Sequence, residues 1–202
     1  MPSPIHVVQR RRNVRSEQSM GKLIAAAIDE LSQSTYGELT VRTVAARAAV
    51  SPTTAYTYFP SKDALVAEVY FRLLREAAVF IDVNETAETR TKAQLRELAL
   101  LIADKPRLAD ACTIALMADD MVVDEIRVKI AAEVSRRIAA SLGPGFPSSV
   151  TSTLHMLFSG AMMHARSAIG GYAHVAEQLE AGVSLILRGH SVAAEGEGVV
   201  SR

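Results

Sequence analysis

An all-α fold is predicted for this chain of 202 residues. Three observations carry that prediction. Alanine occurs 32 times while glycine and proline hold only 11 and 7 positions, so strong helix formers dominate. Apolar side chains recur every three to four residues along most of the length. The breaks between these periodic stretches carry capping residues, prolines or glycines. Apolar residues make up 49% of the chain, enough to bury a sizeable core, and the length suits one large domain or a small domain joined to a medium one.

Residues 1–16 contain RRRNVR and show no apolar period, so they read as a flexible basic arm. From Ser16 to Gln33, Leu23, Ala27 and Leu31 lie four apart with Ile24 and Ile28 beside them, forming one helical stripe. STYGEL ends this helix, with Gly37 in the break. Thr40 is placed to cap a short helix, 41–48, that turns Val44, Ala45 and Ala48 inward. After the turn AAV, Ser51 caps a second short helix, 52–58, which opens on Pro52, where a missing N–H is harmless. Pro60 stops that helix. Ser61 caps a long one running to Ile81, and Asp63 suits its positive N-terminal end. Leu65, Val69, Leu73 and Ala77 recur along it every four residues, with Val66, Tyr70 and Leu74 alongside.

The polar, acidic stretch DVNETAETR, 82–90, reads as a domain boundary. Further helices are predicted over 91–103, 106–117, 120–141, 149–169 and 172–189, separated by GPGFPSS and by Gly170–Gly171. Residues 191–202 read as a disordered tail.

Net charge is zero, yet it is unevenly spread. Residues 1–62 carry eight Lys/Arg against four Asp/Glu, and residues 63–202 carry 14 against 18, so the two parts stand at +4 and −4. That asymmetry points to a nucleic-acid-binding N-terminal part. The single cysteine, Cys112, cannot form an internal disulfide, which fits a cytoplasmic setting. MPSPIHVVQRRRN lacks the apolar core of a signal peptide, and charges interrupt every long apolar stretch, so no membrane partner is expected.

Two short helices joined by a three-residue turn, behind a longer supporting helix, form a helix-turn-helix. In such a motif the second helix enters the major groove of DNA. That explains the hydroxyls of ARAAVSPTTAYTYFPSKDAL, residues 46–65. Thr53, Thr54 and Tyr56 face outward on helix 52–58, Tyr58 lies near its end, and Lys62 with the next helix start forms a second anion site. Ala55 and Phe59 face inward. Short helices carrying Thr and Tyr also occur as plain packing elements, so the pattern alone leaves both readings open.

The stretch LTVRTVAARAAVSPTTAYTYFPSKDALVAEVY, residues 39–70, resembles the DNA-binding region of the tetracycline-repressor (TetR) family of bacterial regulators. The shared pattern is a Thr-capped helix, an A…AGVS turn, a Thr-hydrophobic-Tyr-x-Tyr/His-Phe run, and xSKxxL. The resemblance implies a three-helix DNA-binding domain over 17–62, a connecting helix over 63–81, and a helical ligand-binding and dimerisation domain over 82–190. It implies a sequence-specific regulator of double-stranded DNA, a homodimer released from its operator by a small-molecule effector, without metal or cofactor.

Residue by residue, the resemblance makes Thr40 a cap that contacts phosphate and sets Arg42 where a base is within reach, guanine being its best match. Thr43, Ser51, Pro52, Thr53, Thr54 and Tyr56 belong to the DNA-facing surface, and Tyr58 and Lys62 clamp the backbone. Arg10, Arg11, Arg12 and Arg15 are placed to follow a phosphate chain or enter a narrow minor groove. Three positions depart from the pattern. Ala49 stands where glycine is usual, at a cost of about 1 kcal/mol if the turn needs a left-handed residue. Ala55 replaces the usual leucine, and Thr57 adds no charge.

In relatives the last two helices form the dimer interface. Here that implies Leu154, Leu157, Ala161, Ala165 and Ala168 on the first, and Leu179, Val183 and Ile186 on the second. An ordinary buried core helix explains the same composition without a dimer. An apolar effector is expected, with Met117, Met121, Met156, Phe158, Met162 and Met163 as candidate pocket residues, because methionine adapts to irregular apolar shapes. Asp119 and Asp120 suit either a cationic ligand or a helix cap. An enzyme finds little support: His155, His164, His174 and His190 lack the spacing of a metal pair, Cys112 has no histidine-bearing motif around it, and neither a phosphate loop nor GxSxG is present. A helical scaffold that binds only proteins is the remaining alternative.

Overall fold

The computed structural model describes the backbone of residues 4–165 and 169–199, and the side chains of residues 16–165 and 169–190. Among the described residues there are nine α-helices and no strand. They are α1 (Pro4–Gln33), α2 (Val41–Arg47), α3 (Pro52–Tyr58), α4 (Lys62–Glu76), α5 (Ala87–Leu100), α6 (Pro106–Leu116), α7 (Met121–Leu142), α8 (Ser148–His164) and α9 (Gly171–Val199).

The chain divides into two compact units. One comprises the residues up to Arg72 together with Lys105–Arg127, and the other Leu73–Asp104 together with the residues from Val128. The expected division at 62, 81 and 82 differs from this, because α6 and the start of α7 belong with the N-terminal helices. Two long-range bonds hold them there. Arg107 donates from Nη1 to the carbonyl of Ser32 at the end of α1, at 2.8 Å. Ser61 donates to Asp120 Oδ2 at 2.6 Å.

In the first unit, Leu23, Ile24, Ala27 and Leu31 of α1 are buried with Leu39, Val41, Val44, Ala45, Ala55 and Phe59. The α1 stripe is as its four-residue spacing predicts. Leu65, Val66 and Val69 of α4 and Leu108, Ala111 and Cys112 of α6 are buried as well. Burial pushes the Cys112 thiol up to about 12, so it is an inert small apolar residue.

The irregular arm predicted over 1–16 gives way to helix from Pro4 onward. Arginine and glutamine are good helix formers, and a helix already nucleated over 17–33 propagates into them cheaply. The side chains of Arg10, Arg11, Arg12 and Arg15 lie outside the described residues.

In the second unit, α5, α8 and α9 pack together around Leu95, Leu98, Ala99, Leu154, Phe158, Ala176, Leu179 and Val183. Gly182 permits a close approach of α9 to α8, since a Cβ there would lie 2.6 Å from Leu157 Cδ2. Helix α4 ends at Glu76, short of the predicted Ile81, and Arg137 of α7 is the reason. This guanidinium is 1% exposed. It donates to the carbonyls of Ala77 and Ala78, each at 2.9 Å, and of Arg75 at 3.0 Å, and pairs with Glu133 at 2.8 Å. Gln94 Nε2 adds a bond to Ala78 O at 3.2 Å. Carbonyls satisfied in this way have no need of further helical N–H partners.

Two more boundaries differ from the predicted ones. Helix α5 starts inside the polar stretch 82–90, because Thr86 Oγ1 accepts the Thr89 N–H at 3.1 Å as a cap. The last helix runs on to Val199, where a tail was expected from 191.

Candidate nucleic-acid interface

The interface is built on α2, α3 and the start of α4. Thr40 Oγ1 accepts the Thr43 N–H at 3.0 Å, and Thr43 Oγ1 accepts the Thr40 N–H at 3.2 Å, a capping box closed in both directions. The Thr43 hydroxyl also donates to Thr40 O at 2.9 Å. At the far end of α2, Val50 N–H reaches Ala45 O at 3.0 Å and Ala49 N–H reaches Ala46 O at 3.2 Å. These are the two bonds of a Schellman ending, and Ala49 occupies its left-handed position at φ +52°. The turn therefore keeps the geometry that glycine normally provides, and alanine takes the strain.

Ser51 caps α3, accepting the Thr54 N–H at 3.1 Å and pairing with Thr54 Oγ1 at 2.8 Å. Pro52 opens the helix. Ala55 and Phe59 are buried beneath it, as expected. Pro52, Thr53, Tyr56 and Thr57 are exposed, Tyr56 at 48%, while Thr54 and Tyr58 are half-buried. The Thr57 hydroxyl turns back to Thr53 O at 2.9 Å. The outer face of α3 is thus uncharged, with the hydroxyl-bearing Thr53, Tyr56 and Thr57 beside the Pro52 ring. Arg42 stands exposed on α2.

Lys62 is less free than a simple clamp. Its Nζ donates to Tyr36 O at 3.0 Å and lies 4.2 Å from the centre of the Tyr36 ring. An ammonium has three donors, so two remain for phosphate. The Tyr36 hydroxyl donates to Asp63, and burial followed by that carboxylate raises the phenol well above its ordinary value. Tyr36 is therefore gripped by two successive residues at the start of α4. Arg47 similarly ties α2 to α1 through Glu30, at 2.5 Å. Sequence reasoning did not single out Tyr36, Arg47, Arg107 or Arg137. Apart from Glu133, four residues from Arg137, their partners lie 14 to 75 residues away, beyond any local pattern.

The candidate pocket and dimer residues differ widely in burial within the single chain. Met117, Met121, Met156 and Met163 are 69%, 79%, 75% and 69% exposed, so they line no closed cavity; Met162 is half-buried and Phe158 is a core residue. Leu154, Ala165, Leu179 and Val183 are buried within the single chain and offer no surface to a partner. Leu157, Ala161 and Ile186 are half-buried, and Ala168 lies outside the described residues. A fourfold apolar spacing marks the buried side of each helix, and the sequence does not tell whether the chain itself or a second copy covers it. Asp120 proves to be a helix cap, accepting Val122 N–H at 2.8 Å. Among the described residues no cluster of His, Cys, Asp or Glu is arranged to hold a metal ion.

The model of bacterial regulatory proteins of the tetR family matches residues 23–69, the segment that holds α2 and α3 with the end of α1 and the first half of α4. Over 186 residues the chain is 43% identical to an uncharacterized HTH-type transcriptional regulator of Mycobacterium tuberculosis, covering 91% of this chain and 87% of that one. A regulator of Mycobacterium bovis with the same description matches equally well. The chain belongs to the TetR family. Solved structures agree on the fold. A TetR transcriptional regulator from Rhodococcus sp. RHA1 superposes with a TM-score of 0.70 at 18% identity, over 82% of this chain and 95% of that one. A tetR-family regulator from Streptomyces coelicolor gives 0.64 at 17% identity, over 91% and 86%. This TetR-family protein is a DNA-binding transcriptional regulator and not an enzyme. No helix among its described residues is long and apolar enough to cross a membrane.

Proposed function

We propose that this regulator is a cytoplasmic homodimeric repressor that binds operator DNA through α3 and leaves it when a small-molecule effector binds. The observation that carries the reading is the outer face of α3, a two-turn helix with Ala55 and Phe59 anchored beneath and no charge above. A rod of that size fits a groove about 12 Å wide. Arg42, Tyr58 and Lys62 flank it at positions suited to a base edge and to phosphates. Two copies reading sites about 34 Å apart account for tight binding by so short a helix.

The dimer contact is assigned to the outer faces of α8 and α9. Met156, Gly160 and Met163 follow one another at helical spacing on α8, and Ala181 and Leu185 do so on α9; all are exposed. Leu185 at 71% and Met156 at 75% are large apolar side chains that a second copy would cover. The effector acts by population shift and must bind the DNA-released form more tightly than the DNA-competent one.

Footprinting on the protein's own genome tests the DNA reading. Protected stretches with two half-sites about one helical turn apart are expected. Absence of any protected stretch sinks it. Sedimentation of Met156→Glu with Leu185→Glu tests the dimer, which is expected to fall apart into folded monomers.

A further inference from the structure

We infer that α3 selects its bases by apolar contact with thymine methyl groups rather than by bidentate hydrogen bonds, with Thr53 as the principal reader. The inference rests on the reading that α3 enters the major groove. Bidentate recognition needs Arg or Lys for guanine, Asn or Gln for adenine, and Asp or Glu for cytosine. Residues 51–60, SPTTAYTYFP, contain none of these six types.

What α3 offers is hydroxyls and methyls, and some of the hydroxyls are already engaged. Thr57 donates into its own helix, to Thr53 O at 2.9 Å. Ser51 and Thr54 share one hydrogen bond at 2.8 Å, leaving one O–H between them to point outward. The hydroxyls of Thr53 and Tyr56 bond to none of the described residues. A rotating hydroxyl donates or accepts with equal ease, so it matches either kind of base edge and discriminates weakly.

The base-selective chemistry that remains on this face is apolar. It consists of the Thr53 and Thr57 methyls, the Pro52 ring and the edge of the Tyr56 ring, all exposed. Thymine alone carries an apolar group in the major groove. The favoured ligand is therefore a duplex with A·T pairs beneath α3, and guanine reading is confined to Arg42 on α2.

The test starts by enriching duplexes from a random pool with the full chain, then replaces each thymine of the selected half-site by uracil, which removes only the methyl. At one or more positions uracil is expected to weaken binding about fourfold, the value of one buried methyl. Thr53→Val keeps the methyl and should keep the thymine preference. Thr53→Ser keeps the hydroxyl and should lose the preference at one position. Thr53 is exposed, so both variants fold. A selected half-site in which uracil changes nothing, or a preference that survives Thr53→Ser but not Thr53→Val, overturns the inference and leaves groove binding by α3 intact. A pool that enriches no sequence overturns both.

Discussion

Ser61 and Asp120, 59 residues apart, join the starts of two helices through one hydrogen bond of 2.6 Å. The Ser61 Oγ accepts the Ala64 N–H at 3.0 Å and so caps α4, while it donates to Asp120 Oδ2. Asp120 Oδ1 meanwhile accepts the Val122 N–H at 2.8 Å and caps α7. One carboxylate thus faces the positive ends of two helices. The Ser61 hydroxyl, and then the Val122 and Val123 amides, hold the Asp120 carboxyl below its ordinary value.

Its folded value being depressed, Asp120 stabilises the protein fully above the ordinary Asp value of about 3.9 and loses that contribution as pH falls through the lower folded value. Asp120→Asn should be less stable than the parent at neutral pH, and the difference should shrink below pH of about 4. Urea unfolding across that range measures it. A double-mutant cycle of Ser61→Ala with Asp120→Ala should give a coupling of about 1 kcal/mol.

Ala49 at φ +52° carries strain that glycine would not. Relief of about 1–2 kcal/mol is partly offset by glycine's greater freedom in the unfolded chain, leaving a net gain of about 0.5–1 kcal/mol for Ala49→Gly. Thermal unfolding should shift upward by about 2 °C. A lower midpoint would contradict the left-handed turn.

Arg137 is buried and serves three carbonyls at once. Arg137→Met fills the volume but removes the guanidinium from the Arg75 and Ala77 carbonyls, while Gln94 still serves Ala78 at 3.2 Å and Glu133 keeps Arg136 at 2.7 Å. The expected loss is about 3 kcal/mol by urea unfolding. Arg137→Lys should fall between, because an ammonium cannot spread its donors in the same fork.

Arg42 and Lys62 should separate base reading from phosphate binding. Arg42→Ala is expected to relax preference at one base, by about 1–3 kcal/mol. Lys62→Ala should weaken all duplexes alike and flatten the salt slope by about one. Equal loss of specificity from both variants would contradict these roles.

The local features of the interface were legible in the sequence because their physics is local. Thr40, Ser51, Pro52 and Pro60 mark α2 and α3 through bonds three residues away or through a missing N–H. The strain at Ala49 was legible for the same reason, since one missing glycine shows against a known turn. The end of α4 was not, because apolar spacing continues through Ala77 while the stop comes from Arg137, 60 residues on.

The sequence by itself determined the all-helical architecture, the order of the elements, and the helix-turn-helix with its uncharged outer face. Spacing and capping act within a turn or two of helix, and such rules can be read along a chain. Only the tertiary structure decided which side of each apolar helix the chain covers. Leu154, Leu179 and Val183 went into the core, whereas Met156 and Leu185 stayed outside. It also decided that Lys62 and Asp63 grip Tyr36, and that Asp120 serves two helices. Burial and long-range hydrogen bonds depend on which surfaces meet, and side-chain periodicity carries no record of the partner.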